Sequence, residues 1–175
     1  QASHLLKIYT NFLGLAQEPD GKFHTFMGSK KSWDDATGVT DGFGRAVWGL
    51  GFHLYTTGDH PSAKPARQIF EKAMIQIPNI IDLRTAAYSI LGLYYYILAY
   101  KGDKIYAYKA IELMKKLADY LKIAYETHQQ IGWDWFESVV TYDNFRLPQS
   151  LFAVFLIIST FLKYLPSIRS NMFNL

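Results

Sequence analysis

Carboxylates, arginines and tryptophans cluster in a few short stretches of this chain. Asp41 stands with Arg45, and Asp82 with Arg84. Trp33 precedes Asp34 and Asp35. The densest stretch runs through Trp133, Asp134, Trp135 and Glu137 to Tyr142, Asp143, Asn144 and Arg146. Aromatic plates beside carboxylates suit a sugar. The apolar face of a pyranose stacks on an indole or phenol ring, while its hydroxyls bond to Asp, Asn and Arg. Arginine is also a planar two-pronged donor for carboxylate or phosphate groups. The candidate binding residues are therefore Trp33, Arg45 and Arg84, then Trp133, Asp134 and Trp135, then Tyr142, Asn144 and Arg146.

Ordinary structural roles compete with this reading. An Asp at a helix start is most often a cap, the preferred reading of Asp82 and Asp103. Asp34 and Asp35 read as turn-shaping residues. Arg84 serves equally well as a ligand contact or as a tie between loops. Trp48 and the Tyr94-Tyr95-Tyr96 run read as core packing, and His53 as a hydrogen-bonded core residue. Two tryptophans and two carboxylates within Trp133 to Glu137 are harder to dismiss, because apolar surface in a loop is costly unless something covers it. No histidine pair has ligand spacing and cysteine is absent, so no metal site, disulfide, thiol nucleophile or cofactor is expected. Gly42-Phe43-Gly44 lacks the Lys-Ser/Thr ending and preceding strand of a phosphate loop. Asp34-Asp35 lacks the further acidic partners of a magnesium motif.

Composition bounds the remainder. Of 175 residues, 50% are hydrophobic, 17% aromatic and 19% charged, which excludes a disordered chain and predicts one domain over 1–175. The net charge of +3 is mild, and the basic stretch Lys104 to Lys122 is interleaved with Glu112 and Asp119. It reads as a solvated helix face, so a nucleic-acid partner is not expected. The apolar run Leu151 to Leu162 is about twelve residues, short of the roughly twenty a bilayer needs, so no membrane span is expected. No basic start precedes an apolar segment at the N-terminus, which favours the cytoplasm. The sequence opens at Gln1 without an initiator Met and is expected to be a piece of something longer.

Six helical segments must position the candidate residues. Apolar periodicity predicts them over 3–17, 41–57, 61–77, 82–100, 103–128 and 146–165. A short β-hairpin or an extended loop is expected after the first, with Lys22 to Met27 alternating enough for a short strand. Gly42, Gly44, Gly49 and Gly51 lower helix propensity in the second, a composition tolerated where another backbone packs closely. The helices alternate in character. The second, fourth and sixth are nearly uncharged beyond their starts, while the third and fifth are amphipathic. Buried and surface helices in alternation predict hairpins in two layers, with inner starts near 41, 83 and 145. Three parallel inner helices would bring Asp41 and Arg45, Arg84, and Asp143 to Arg146 to one rim.

Asp41-Gly42-Phe43-Gly44-Arg45-Ala46-Val47-Trp48-Gly49-Leu50-Gly51 resembles an inner-helix start in a group of bacterial α/α-toroid proteins. So does Asp82-Leu83-Arg84-Thr85-Ala86-Ala87-Tyr88, and so does Trp133-Asp134-Trp135-Phe136-Glu137 with Thr141-Tyr142-Asp143-Asn144 and Arg146-Leu147-Pro148. That group is similar to the six-hairpin glycosidase superfamily and is described only as glycoside hydrolases or glycosyltransferase-associated proteins. The resemblance runs roughly from Ser3 to Leu162. It implies an (α/α)6 toroid with a carbohydrate site at the inner-helix rim. This chain supplies about three of the hairpins, and after Lys163 the expected outer helix is replaced by Tyr164-Leu165-Pro166-Ser167.

Two functions follow as expectations. The first is glycoside hydrolysis by paired carboxylates. Inversion needs an acid and a base about 6.5–9.5 Å apart, the acid with a raised pKa. Glu137, between Phe136 and Ser138 and near two tryptophans, is the candidate acid. Asp41 or Asp143 is the candidate base. The second is a helical module that binds carbohydrate, or a protein partner, without chemistry. An incomplete ring also predicts self-association, or association with a missing half, along an apolar edge.

Overall fold

The computed structural model describes residues 2–58 and 60–164. Six α-helices follow one another: α1 (Ala2–Ala16), α2 (Asp41–Thr57), α3 (Lys64–Ala73), α4 (Leu83–Ala99), α5 (Lys104–His128) and α6 (Arg146–Tyr164). The chain is all-α. Residue 165, the predicted end of the sixth helix, lies outside the described residues, as does Tyr164-Leu165-Pro166-Ser167 beyond its first member. Ser3, the predicted start of the first helix, sits inside α1. Asp82 and Asp103 do cap: Asp82 accepts the Thr85 N–H at 2.7 Å, and Asp103 accepts those of Ile105 and Tyr106.

The helix expected over 61–77 is cut into three pieces. A 3-10 turn at Pro61–Ala63 leads into α3, and a second at Met74–Asn79 follows it. Pro78 lies in that second turn and has no N–H to continue an α-helical ladder. The strand expected at Lys22 to Met27 does not form, and no strand occurs among the described residues. Isolated bridges join Gln17 to Phe23, Phe23 to Gly38 and Met27 to Trp33. The chain reverses at Gly21 (φ 93°) and Lys31 (φ 59°), so no two backbone runs stay paired. The Asp35 carboxylate takes up the Thr25 and Phe26 N–H groups at 2.7 and 3.1 Å, as a neighbouring strand would have done.

α4 lies at the centre of a row, with α2 packed on one side and α6 on the other. α3 packs on α2 and α1, and α5 on α4 and α6. Arg84 to Leu93 of α4 is buried without a break. The uncharged helices thus meet each other, while the amphipathic α3 and α5 cover them and give their charged sides to water.

Glycine sets the spacing of the row. A Cβ on Gly51 would stand 2.3 Å from the Gly92 carbonyl oxygen, and one on Gly92 would stand 2.6 Å from the Val47 oxygen. Gly44 meets the Thr85 backbone at 3.0 Å. These positions rise together along both chains, so α2 and α4 run parallel. The close backbone approach expected for the α2 glycines is real at Gly44 and Gly51. Gly49 differs: nothing lies within 4 Å of its Cβ position. α6 starts beside the same end of α4 and packs along it, so all three helices start at one rim. Along the solvent side of α2 an aromatic wall descends from that rim. Phe52 and Tyr55, each about half exposed, pack on Tyr95 with centroids 5.1 and 5.5 Å apart. No helix among the described residues is long and apolar enough to cross a membrane.

Candidate functional site

The loop between α5 and α6 is held to the row by one arginine. Arg84, in the first turn of α4, has a side chain only 8% exposed. It grips both oxygens of Glu137, Nη1 to Oε1 at 2.8 Å and Nη2 to Oε2 at 2.5 Å. Its Nε donates to the Tyr142 carbonyl at 3.0 Å, and Nη2 also reaches Thr141 and Asn144. Trp133 closes the turn by donating Nε1 to the Glu137 carbonyl at 2.7 Å. A fork-to-fork pair of this kind combines charge with fixed geometry. The Glu137 pair is also the first cause holding the guanidinium pKa above its ordinary value.

Asp143 forms a second node. It is one of two non-glycine residues with positive φ, at 49°, among the described residues. That conformation costs about 1 kcal/mol and is one aspartate adopts more readily than most. It turns the carboxylate into the rim. Tyr88 donates its hydroxyl to Oδ2, Arg146 Nε approaches Oδ1 at 3.2 Å, and Arg45 Nη2 lies 3.8 Å from Oδ2. Arg45 in turn bonds Asp41 Oδ2 at 3.0 Å and the Tyr88 hydroxyl at 2.8 Å. Both guanidinium groups lie over rings, Arg45 over Tyr88 and Arg146 over Trp48, each 4.6 Å from the centroid. Trp48 and Tyr88 stack on each other at 5.8 Å. Starts of all three row helices are therefore tied together at one point.

The electrostatics of this node favour an ionised Asp143. The Tyr88 hydroxyl, followed by Arg146 and Arg45, holds its carboxyl below the ordinary carboxylate range against the effect of burial. Tyr88 is pushed the other way, first by burial and then by donating to Asp143. The folded-state pKa of Asp143 thus lies below its unfolded value near 4. The stabilisation is fully present above about pH 4 and is lost as pH falls through the folded value. Asp143→Asn is therefore expected to lose stability at pH 7 and to flatten the acid limb. Urea midpoints at pH 7 and pH 3 check this: equal losses at both would remove Asp143 from the linkage.

Of the residues singled out in the sequence, Arg45, Arg84, Trp133, Glu137, Tyr142, Asp143, Asn144 and Arg146 join this connected set, and Asp41 joins through Arg45. Tyr142 is 56% exposed; the Arg84 guanidinium lies over its ring, 5.4 Å from the centroid, and its hydroxyl meets Asp41 and Arg45. Asp134 is exposed. Trp135 is half-buried, edge-on to Phe136 and Phe145. Trp33 lies elsewhere, stacked on His24 at 4.9 Å and edge-on to Phe12 of α1 at 5.8 Å. His24 itself bridges the Glu18 carboxylate and the Asp35 carbonyl, so Trp33 closes the loop after α1. His53 is 6% exposed, 3.3 Å from Thr10 Oγ1, and burial lowers its pKa.

No protein-family model, curated protein or solved structure matches this chain. The reading of the rim rests on its own geometry.

Sequence reasoning missed Tyr88, which looks like core packing and is fully buried apart from its role at the node. Its position gave a usable signal. Tyr88 is four residues after Arg84, so both lie on one helix face, one turn apart.

Proposed function

We propose that the rim formed by the starts of α2, α4 and α6 is a carbohydrate-binding site and that it binds without hydrolysing. The row of parallel helices with its outer cover is read as an arc of the α/α toroid that the sequence resembles. The observation that carries the proposal is the Asp143 node. Its fixed carboxylate and the flanking Arg45, Arg146 and Asp41 supply donors and acceptors in one small area. The exposed Tyr142 ring lies beside them, and the aromatic wall of Phe52, Tyr55 and Tyr95 continues below. Fixed polar groups next to a flat apolar plate match the two surfaces of a pyranose, and fixed partners lower the entropy cost of binding.

Binding is favoured over hydrolysis by the state of the carboxylates. A general acid needs a proton held against the solvent pH. Glu137 has both oxygens occupied by Arg84, which leaves it as a tie for the loop. Asp143 is held ionised, so it keeps no proton to donate. Asp41 is paired with Arg45.

Isothermal titration against a panel of neutral and acidic oligosaccharides, run beside a reducing-sugar assay, tests the proposal. Heat of binding without turnover is expected, with at least a tenfold loss of affinity in Tyr142→Ala, whose ring is 56% exposed, and an unchanged urea midpoint in that variant separates lost binding from lost fold. Turnover that disappears in Glu137→Gln would restore the hydrolase reading. No binding by any sugar would remove both.

A further inference from the structure

Below the rim the three row helices lose their polar surface. After Arg45 in α2, Arg84 in α4 and Arg146 in α6, no Lys, Arg, Asp or Glu follows within the helix except Lys163 in the last turn of α6. The amide of Gln149 stays at the rim, where its oxygen accepts from Arg146. His53 is buried against Thr10 of α1, and the Thr56 and Thr57 hydroxyls are spent on their own helix. Rings stand where polar groups are missing. Arg45, Trp48, Phe52 and Tyr55 follow one another at 3-4-3 spacing and share one line of α2. Tyr88 and Tyr95, seven apart, share a line of α4. Trp48 meets Tyr88, and Phe52 and Tyr55 meet Tyr95, so the two lines form one wall. Its upper end lies under the Asp143 node, because Arg45 and Arg146 cover Tyr88 and Trp48. The wall faces away from the outer helices: Phe70 of α3 stacks on Tyr96, and Tyr95 is turned about 100° from it. From Arg45 to Tyr55 the wall runs about 15 Å at the helical rise.

We propose that the ligand of this site is amphiphilic: an uncharged sugar head at the node, carrying an aliphatic tail that lies along the wall. This rests on the carbohydrate reading of the rim and names what its ligand carries. The head is uncharged because the node is balanced, Asp41 and Asp143 against Arg45 and Arg146. A longer glycan is the competing occupant, and the wall suits it poorly. Each further sugar brings hydroxyls that lose water on binding and need new partners. Along the wall only tyrosine hydroxyls are there to supply them. An aliphatic chain needs no such partner and gains up to about fourfold in affinity for each methylene fully buried. Phe52 and Tyr55, 49% and 47% exposed, have that surface still to cover.

Isothermal titration with butyl, hexyl and octyl glucosides and maltosides, kept below their micelle concentrations, tests the tail. A tail covered on one side gains about twofold per methylene, so affinity is expected to rise roughly fifteenfold from butyl to octyl. Octyl phosphocholine, with the same tail and a different head, is expected to bind at least tenfold more weakly than the octyl glycosides. Phe52→Gln is expected to cut the octyl-to-butyl ratio below about threefold, and Tyr55→Gln stands in should that variant lower the urea midpoint. Ile123→Gln on α5, at a site 60% exposed, is expected to keep the ratio. A flat or absent response to the alkyl series while unsubstituted sugars bind would overturn the tail and leave the sugar reading standing. Octyl phosphocholine binding as tightly as the glycosides, or an unchanged ratio in a folded Phe52→Gln, would also overturn the proposal. So would a chain that is dimeric by light scattering and monomeric in Phe52→Gln, since a second copy would then cover the wall. Binding by neither glycosides nor sugars would remove both readings.

Discussion

Gly92→Ala is expected to destabilise the chain by about 1–2 kcal/mol, although alanine is the better helix former. The exchange gains about 1 kcal/mol of helix propensity. Against that gain, the new methyl would stand 2.6 to 2.7 Å from the Val47 carbonyl and its carbon. Backbone cannot move aside as a flexible side chain does, so α2 and α4 must separate along their seam. Overpacking of this kind costs about 1–3 kcal/mol and occasionally more. Separation also loosens the Trp48–Tyr88 stack one turn towards the rim. Gly49→Ala is the internal control, since its Cβ position is open, and it is expected to raise stability by about 0.5–1 kcal/mol. Urea denaturation of both variants gives the comparison. A stabilised Gly92→Ala would mean that the helices do not approach as closely as described.

Arg84→Ala is expected to cost about 3 kcal/mol. Removing one partner of a buried pair typically costs about 3–5 kcal/mol, because the other charge stays behind. The lower figure applies because Glu137 is 24% exposed and water can reach it. The Tyr142 carbonyl and the Asn144 side-chain oxygen lose donors at the same time. Arg84→Lys keeps the charge but not the fork, and about half the loss is expected. Near-ultraviolet circular dichroism adds a local readout, since Trp133 is tied to Glu137 and Trp135 packs on the neighbouring Phe136. A full-sized signal in Arg84→Ala would show that the loop is held by something else.

These residues show what the sequence made legible. Helix content followed from the 3.6-residue period and the caps, both of which depend on neighbours in the chain. The crowded glycines of α2 pointed to a close backbone approach because a glycine without a turn needs such a reason. Partners at long range left no such trace. Arg84 and Glu137 are 53 residues apart, and Tyr88 and Asp143 are 55 apart. Nothing in either stretch names the other, so the Arg84 pair that occupies both oxygens of Glu137 was not legible. Trp33 was misplaced for the same reason: its loop doubles back on His24 and α1, a path set by Gly21, Lys31 and the Asp35 carboxylate. Tyr88 was passed over because burial and hydrogen bonding at a site look alike in an apolar run.

The parallel direction of α2, α4 and α6 has a further consequence. Antiparallel neighbours cancel each other's backbone dipoles, but these three add. Each helix start carries about half a positive charge, and the three starts lie side by side at one rim. Asp41, Asp82 and Asp143, each at one of those starts, therefore sit in a field produced by the main chain as well as by the arginines. Removing a single guanidinium leaves most of that field in place. Asp143, whose carboxyl is already held below the ordinary range, is thus expected to stay ionised through the loss of either neighbouring arginine alone.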